Sequence, residues 1–323
     1  MKFFMAPMEG ITLCEYRQLH STMFPGADAY YTPFIAPDTQ GNFREKYLRE
    51  LLPDNNDGIR LIPQLLVNRP EPFLITVSKL QALGYNEVDL NAGCPSGTVF
   101  SKHKGAGMLA DLHELDSFLD TVFSKTDAAI SIKTRMGVSD TAEFAEISKI
   151  FAKYPLKRLI VHARCRDGYY DSVPDIEGFA AALDSLPFPV CYNGNIFSKR
   201  DLDALLERVP GLESVMVGRG VIADPALIRT LRGGEKLSSG ELMQFHDGLL
   251  DSLLSRGMAP EHVISHMKEL WYYMIHMFSD AGRLYKSLNK TTRLGYYRCA
   301  VSELFASGKF DPDRSFSGGR YRE

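Results

Sequence analysis

Asn91-Ala92-Gly93-Cys94-Pro95 follows the apolar, strand-like run Glu87-Val88-Asp89-Leu90. Glycine and proline fix the backbone on either side of the thiol and leave it to point into a cavity. Downstream, Lys102-His103-Lys104 and Gly105-Ala106-Gly107 make a basic, glycine-bearing loop that reads as mobile. A thiol at the rim of a sheet, under such a loop, suits proton transfer or nucleophilic work. A lone cysteine acting as a small buried hydrophobe is the competing reading. The other polar residues at equivalent places tip the balance away from it.

Those places are the ends of eight apolar runs, each closed by Gly, Pro or polar residues: 2–8, 29–35, 60–67, 87–93, 129–135, 158–164, 189–194 and 214–220. Helix-period segments alternate with them: 43–52, 72–83, 112–123, 141–151, 198–209 and 225–231. Ser198 and Asp224 stand where helix N-caps belong. Eight strand–helix units in about 230 residues predict a TIM (β/α)8 barrel. A doubly wound open sheet would carry GxGxxG after its first strand, and none is present. After residue 235 the pattern is helical, over 241–255, 260–278, 281–290 and 295–306, which predicts a small C-terminal all-helical bundle. The expected division is 1–235 for the barrel, 236–310 for the helical domain, and 311–323 as a flexible tail.

Barrel chemistry sits at the C-terminal ends of the strands. Here those ends carry Pro7-Met8-Glu9, Gln64, Asn91 and Cys94, Lys133 and Arg135, His162 and Arg164, Asn193-Gly194-Asn195, and Gly218-Arg219-Gly220. Desolvating such groups without partners costs several kcal/mol, so their joint occurrence points to a site. The last two ends offer backbone N–H groups and a guanidinium, the phosphate site expected after barrel strands seven and eight. A flavin phosphate, a phosphosugar or pyridoxal phosphate could anchor there. Lys133 could neutralise negative charge near a flavin N1, or form a Schiff base.

Composition narrows the classes. The 323 residues are 45% apolar and 24% charged, ordinary for a globular protein. No apolar run reaches membrane-spanning length, and the apolar part of the N-terminus is too short for a signal peptide. Five scattered cysteines without a CxxC pair argue for a reducing, cytoplasmic setting and against a disulfide scaffold or zinc site. A net charge of −3 means that any polyanion site must be local.

Six motifs, Ala6-Pro7-Met8-Glu9-Gly10-Ile11-Thr12, Asp89-Leu90-Asn91-Ala92-Gly93-Cys94-Pro95-Ser96, Ile132-Lys133-Thr134-Arg135-Met136-Gly137, Val161-His162-Ala163-Arg164, Asn193-Gly194-Asn195-Ile196 and Val217-Gly218-Arg219-Gly220, resemble the tRNA-dihydrouridine synthases in order and spacing. The resemblance implies an FMN-binding barrel, NADPH as reductant, and reduction of a tRNA uracil by hydride to C6 and a proton to C5. Carried over by position, Cys94 is the general acid. Pro7, Met8, Glu9, Gln64, Lys133, His162, Asn193, Gly194, Asn195, Gly218 and Arg219 hold FMN. Asn91 and Arg135 face the flavin or the uracil, and Arg164 binds the substrate. Three positions depart from the family pattern: Leu13 replaces an Asp, Ala163 a Gly, and Gly97 a basic residue common in many members.

Residues 281–302 contain no acid, and Arg283, Lys286, Lys290 and Arg293 follow helical steps that place them on one face. Tyr285, Tyr296 and Tyr297 are interleaved, and Lys268 and His266 could extend the patch. Basic faces with aromatics suit phosphate contact and base stacking; a solvated helix face is the plain alternative. The sequence therefore predicts a monomeric tRNA uridine reductase with no membrane association. Two other readings are an FMN barrel reductase acting on a small molecule, and an RNA-binding barrel without catalysis.

Overall fold

The computed structural model describes residues 1–316. Nine parallel strand segments run β1 Lys2–Met5, β2 Ala29–Tyr31, β3 Leu61–Ile62, β4 Gln64–Leu65, β5 Glu87–Ala92, β6 Ala129–Gly137, β7 Arg158–Cys165, β8 Val190–Asn193 and β9 Ser214–Val217. Their order is β3-β2-β1-β9-β8-β7-β6-β5-β4. Only Pro63 separates β3 from β4, so the two ends of this order are one strand and the sheet closes into a barrel. Pro63 has no N–H to give the ladder, but its carbonyl still accepts from Asp89 N at 2.8 Å. The eight-stranded TIM barrel predicted from the sequence is therefore the fold, with the third strand split at its proline.

Helices 45–51, 70–82, 112–123 and 144–151 follow the strands with small shifts from the predicted bounds, and a further helix, 176–183, was not among the predicted segments. Leu112–Phe123 buries Leu115, Phe118, Leu119 and Val122, the i, i+3, i+4, i+7 stripe of an amphipathic helix. Each contributes about 1.5–3 kcal/mol by leaving water. Asp111 caps this helix by accepting from Glu114 N at 3.0 Å. The helix Cys14–Met23 has no apolar stripe. It buries Cys14, Glu15, Tyr16, Arg17 and His20, so its sequence lacks the period that marks the others.

By internal packing the chain forms two units that are not contiguous in sequence. The first comprises Met1–Pro7, Asp28–Gly194 and Asp203–Met216; the second comprises Met8–Ala27, Asn195–Leu202 and the chain from Val217. In the first, Phe4, Ala6, Ala29, Tyr31, Ile62, Ile160, Cys191 and Met216 form an apolar core.

The second unit holds helices Ser239–Ser255, Pro260–Met274, Gly282–Lys290 and Leu294–Ser307. The expected helix 260–278 ends at Met274, because Phe278–Ser279 pairs antiparallel with Lys309–Phe310 in a two-stranded ribbon. Trp271 Nε1 donates to Tyr297 Oη at 3.0 Å, and Tyr297 Oη lies 2.7 Å from His246 Nε2. The expected flexible tail does not begin at residue 311. Asp311 N donates to Met277 O at 2.8 Å, and Phe316 is 1% exposed. The remainder of that expected tail, 317–323, lies outside the described residues.

Candidate active site

Strand side chains alternate between faces, so residues two apart share a side. In register, Gln64 pairs with Asp89, Asp89 with Ser131, Asn91 with Lys133, Arg135 with His162, and His162 with Asn193. The predicted polar residues of the first unit therefore come together in adjacent layers at one end of the strands.

A hydrogen-bonded chain runs through them. Ser131 Oγ donates to Asp89 Oδ1 at 2.7 Å, and Gln64 Nε2 donates to Asp89 Oδ2 at 2.7 Å. Gln64 Oε1 accepts from Asn91 Nδ2 at 2.8 Å. Asn91 Oδ1 then accepts from Gly93 N at 3.1 Å and Cys94 N at 2.9 Å. Burial raises the Asp89 carboxyl to about 6, opposed by the hydrogen bonds of Gln64 and Ser131. The carbonyl of Asn91 is thus spent on the cysteine turn, and at most one amide hydrogen remains for another partner. Read from sequence as a contact to flavin or uracil, Asn91 is foremost the residue that sets the Cys94 backbone. Asp89 and Ser131 were not singled out by sequence; their signal was polarity at period two below Asn91 and Lys133.

Cys94 is half-buried. Gly105 lies against it at φ +58°, and a Cβ there would come within 2.9 Å of both Cys94 Cβ and Cys94 O. Ala106 N donates to Cys94 O at 3.1 Å. The basic loop expected to be mobile is instead packed in this part: residues 105–109 are buried and helical in 3-10 form, while Lys102 and His103 stay exposed.

Arg135, expected to meet the flavin or the uracil, is fully buried. Its Nε donates to Gly93 O at 3.0 Å, and its Nη1 donates to Cys165 O at 2.8 Å and Tyr169 O at 2.9 Å. It ties the cysteine turn to the loop after β7. A rigid fork with five donors does this where no shorter cation could. Tyr169 sits in that loop at φ +42°, a strained setting for a bulky residue. Arg166, also not foreseen, adds a second tie, donating from Nε to Pro95 O at 3.3 Å and lying 4.2 Å over the Phe100 ring.

Arg164 is likewise buried, donating from Nε to Ser172 O at 2.7 Å, with Nη1 2.9 Å from His162 Nε2. An arginine only donates, so His162 accepts at Nε2 and carries its proton on Nδ1. The exposed Tyr170 ring lies 5.7 Å from the His162 ring. Lys133 Nζ donates to Asn193 Oδ1 at 2.9 Å, and Asn193 Nδ2 donates to Met216 O at 2.8 Å. Burial pulls the Lys133 ammonium down to about 8, with the Arg135 charge adding to the effect. A cation held by an amide oxygen in such surroundings gains from any electron-rich acceptor brought to it. That donor set fits a flavin ring.

In the second unit, Arg219 Nη2 donates to Asn195 Oδ1 at 2.8 Å. Gly220 brings the two loops together: a Cβ on it would come within 2.2 Å of Ile196 O. The helix Arg219–Ala223 is only five residues, so the guanidinium carries the positive charge here. The pair fits a phosphate. Met8 N donates to the Thr12 hydroxyl at 2.9 Å, and Glu9 is exposed on this turn. Pro7 in the first unit is half-buried. Gly194 accommodates Tyr192, whose hydroxyl would lie 2.2 Å from an added Cβ, and Gly218 precedes Arg219 as its helix cap.

The tail separates into two groups. Arg283, Lys286 and Lys290 are exposed on helix Gly282–Lys290. Arg293 is exposed too, but it is the N-cap of the next helix, not a fourth residue of the same face. Lys268 Nζ donates to Asn289 O at 3.0 Å and to Thr291 O, so it caps the C-terminus of Gly282–Lys290 and is not a loose cation. Tyr296 is 66% exposed, whereas Tyr297 is 0% exposed and belongs to the core.

The model of the dihydrouridine synthase family matches residues 4–294. A tRNA-dihydrouridine(16) synthase of Ralstonia nicotianae is 30% identical over 72% of this chain and 73% of its own. tRNA-dihydrouridine synthase B of Pseudomonas aeruginosa is 28% identical over 78% and 76%. A tRNA-dihydrouridine(16) synthase of Shewanella oneidensis is 26% identical over 90% and 95%. Among solved structures, histamine dehydrogenase from Rhizobium superposes with a TM-score of 0.56 at 12% identity, over 76% of this chain and 46% of that one. Morphinone reductase gives 0.51 at 12% identity, over 72% and 86%. At such identities these two attest the barrel alone.

Proposed function

Because this chain belongs to the dihydrouridine synthase family, and is therefore a flavin-dependent reductase of tRNA uridines, we propose that FMN is its flavin, NADPH the reductant and Cys94 the proton donor. When bound, FMN would supply the hydride for C6 of the uracil. Lys133, with Gln64, His162 and Asn193, would hold the ring, and Arg219 with Asn195 the phosphate. Lys133 would offer positive charge to a reduced, electron-rich flavin.

Cys94 would deliver a proton to C5 from its thiol. A neutral thiol is a competent acid toward an enolate-like carbon near pH 7. The observation that carries this role is the grip of Asn91 Oδ1 on both Gly93 N and Cys94 N. It fixes the turn, and Arg135 holds the same turn from Gly93 O. Asn91, Arg135 and Arg166 act as positioning residues. The exposed cations Arg283, Lys286, Lys290 and Arg293 would contact tRNA phosphates, and Tyr296 a base. In this reading 236–310 serves RNA binding, and the enzyme works as a cytoplasmic monomer.

The test is the dihydrouridine content of tRNA, measured by mass spectrometry, in cells lacking this gene and in the same cells complemented with it. Loss of the base at one position, restored by the wild-type gene and not by Cys94→Ala, is the expected result. Unchanged dihydrouridine would overturn the reading. Protein that purifies without flavin and fails to take up FMN would overturn the cofactor assignment.

A further inference from the structure

Beyond residue 294, where the family match ends, the chain continues in the second unit and buries Phe316. Phe316 packs with Phe197 and Ala223, and Tyr272 and Tyr273 lie against the cluster. Its ring meets Phe197 edge-on at 5.4 Å and His276 at 4.9 Å. The Arg219 guanidinium carbon sits 5.5 Å from the Phe197 ring and 5.8 Å from the Phe316 ring. The segment that carries Phe316 is itself anchored, with Arg314 Nε donating to His276 O at 3.2 Å and Asp311 N to Met277 O at 2.8 Å.

We propose that Phe316 is a positioning residue for cofactor binding, forming with Phe197 an aromatic wall beside the Arg219 guanidinium so that it is pre-set for a phosphate. A flexible arginine must lose rotamer freedom when it binds an anion. Contact with two rings that meet each other edge-on restricts that freedom beforehand and leaves the planar fork to its hydrogen bonds, one of which already runs to Asn195. The proposal rests on Arg219 as the FMN phosphate contact. It adds that the C-terminal segment of this chain, far from the barrel motifs in sequence, tunes cofactor affinity.

The experiment is titration of apoprotein with FMN and with riboflavin, which lacks the phosphate. Phe316→Ala should weaken FMN about fivefold and leave riboflavin unchanged. Phe316→Leu keeps apolar cover and guards against simple unfolding; it should also lose FMN affinity selectively. In Arg219→Ala, adding Phe316→Ala should cost nothing more, because the group it positions is gone. Equal weakening of FMN and riboflavin, or unchanged FMN binding by both Phe316 variants, would overturn the role of Phe316 alone. If wild-type protein binds FMN no better than riboflavin, the phosphate reading of Arg219 falls, and this proposal with it.

Discussion

The cysteine turn and the basic helix face solve opposite problems. Around Cys94 nearly every polar group is buried and committed: Asn91 to two backbone N–H groups, Arg135 to three carbonyls, Gln64 to Asp89 and Asn91. On the helix Gly282–Lys290, the cations Arg283, Lys286 and Lys290 are all exposed. Bonds in a buried network are strong and cooperative, and breaking one strands its partner. Exposed charges act one at a time and are screened by salt. The first region should thus show large, salt-independent effects of single substitutions, and the second small, additive, salt-dependent ones.

The largest effect is expected at Cys94. Cys94→Ala should slow uridine reduction by about 10²–10⁴-fold, the usual cost of losing a general acid. Flavin reduction by NADPH should be nearly unchanged. Rapid-mixing absorbance follows both half-reactions, and normal reoxidation by tRNA in the variant would remove the thiol from the mechanism.

Arg135→Met comes next. It leaves the carbonyls of Gly93, Cys165 and Tyr169 without their donor. Denaturant unfolding should show a loss of about 2–4 kcal/mol, accompanied by slower uridine reduction at every salt concentration. An active, fully stable variant would show that the cysteine turn holds itself.

Replacing Arg283, Lys286, Lys290 and Arg293 together by Gln should weaken tRNA binding and flatten its salt dependence. The log–log slope should fall by up to about one unit for each phosphate no longer neutralised. FMN content should not change. An unchanged slope would place the RNA on another surface.

The smallest and sharpest contrast is between adjacent tyrosines. Tyr296→Ala should cost about 1 kcal/mol of tRNA affinity by removing a stacking platform, and leave the melting temperature alone. Tyr297→Phe deprives Trp271 Nε1 and His246 of their shared hydroxyl and should cost about 1–3 kcal/mol of stability with tRNA affinity intact. Reversal of the two phenotypes would mean that the exposed ring is structural.

The sequence by itself determined the barrel, its strand order, and which residues stand at the strand ends. Period two within strands and 3.6 within helices are local, and the end of each strand is marked by Gly, Pro or a polar residue. Glu87–Ala92 and Leu112–Phe123 were legible for this reason. Lys133 and Arg219 stood out as candidates because charged side chains at such places are costly without partners, and Cys94 because of the turn that carries it. What each group does with its hydrogen bonds was not legible. Asn91 and Arg135 look like substrate contacts in sequence, and packing turns them toward the backbone of the cysteine turn. Arg283 and Arg293 look like one helical face, but Thr291 and Lys268 end the first helix between them. Tyr296 and Tyr297 differ by one position, yet one ring is exposed and the other buried. Phe316 near the end of the chain meets Arg219 through nothing a local pattern could announce. These assignments depend on which distant groups arrive within about 3 Å, and only the folded chain decides that.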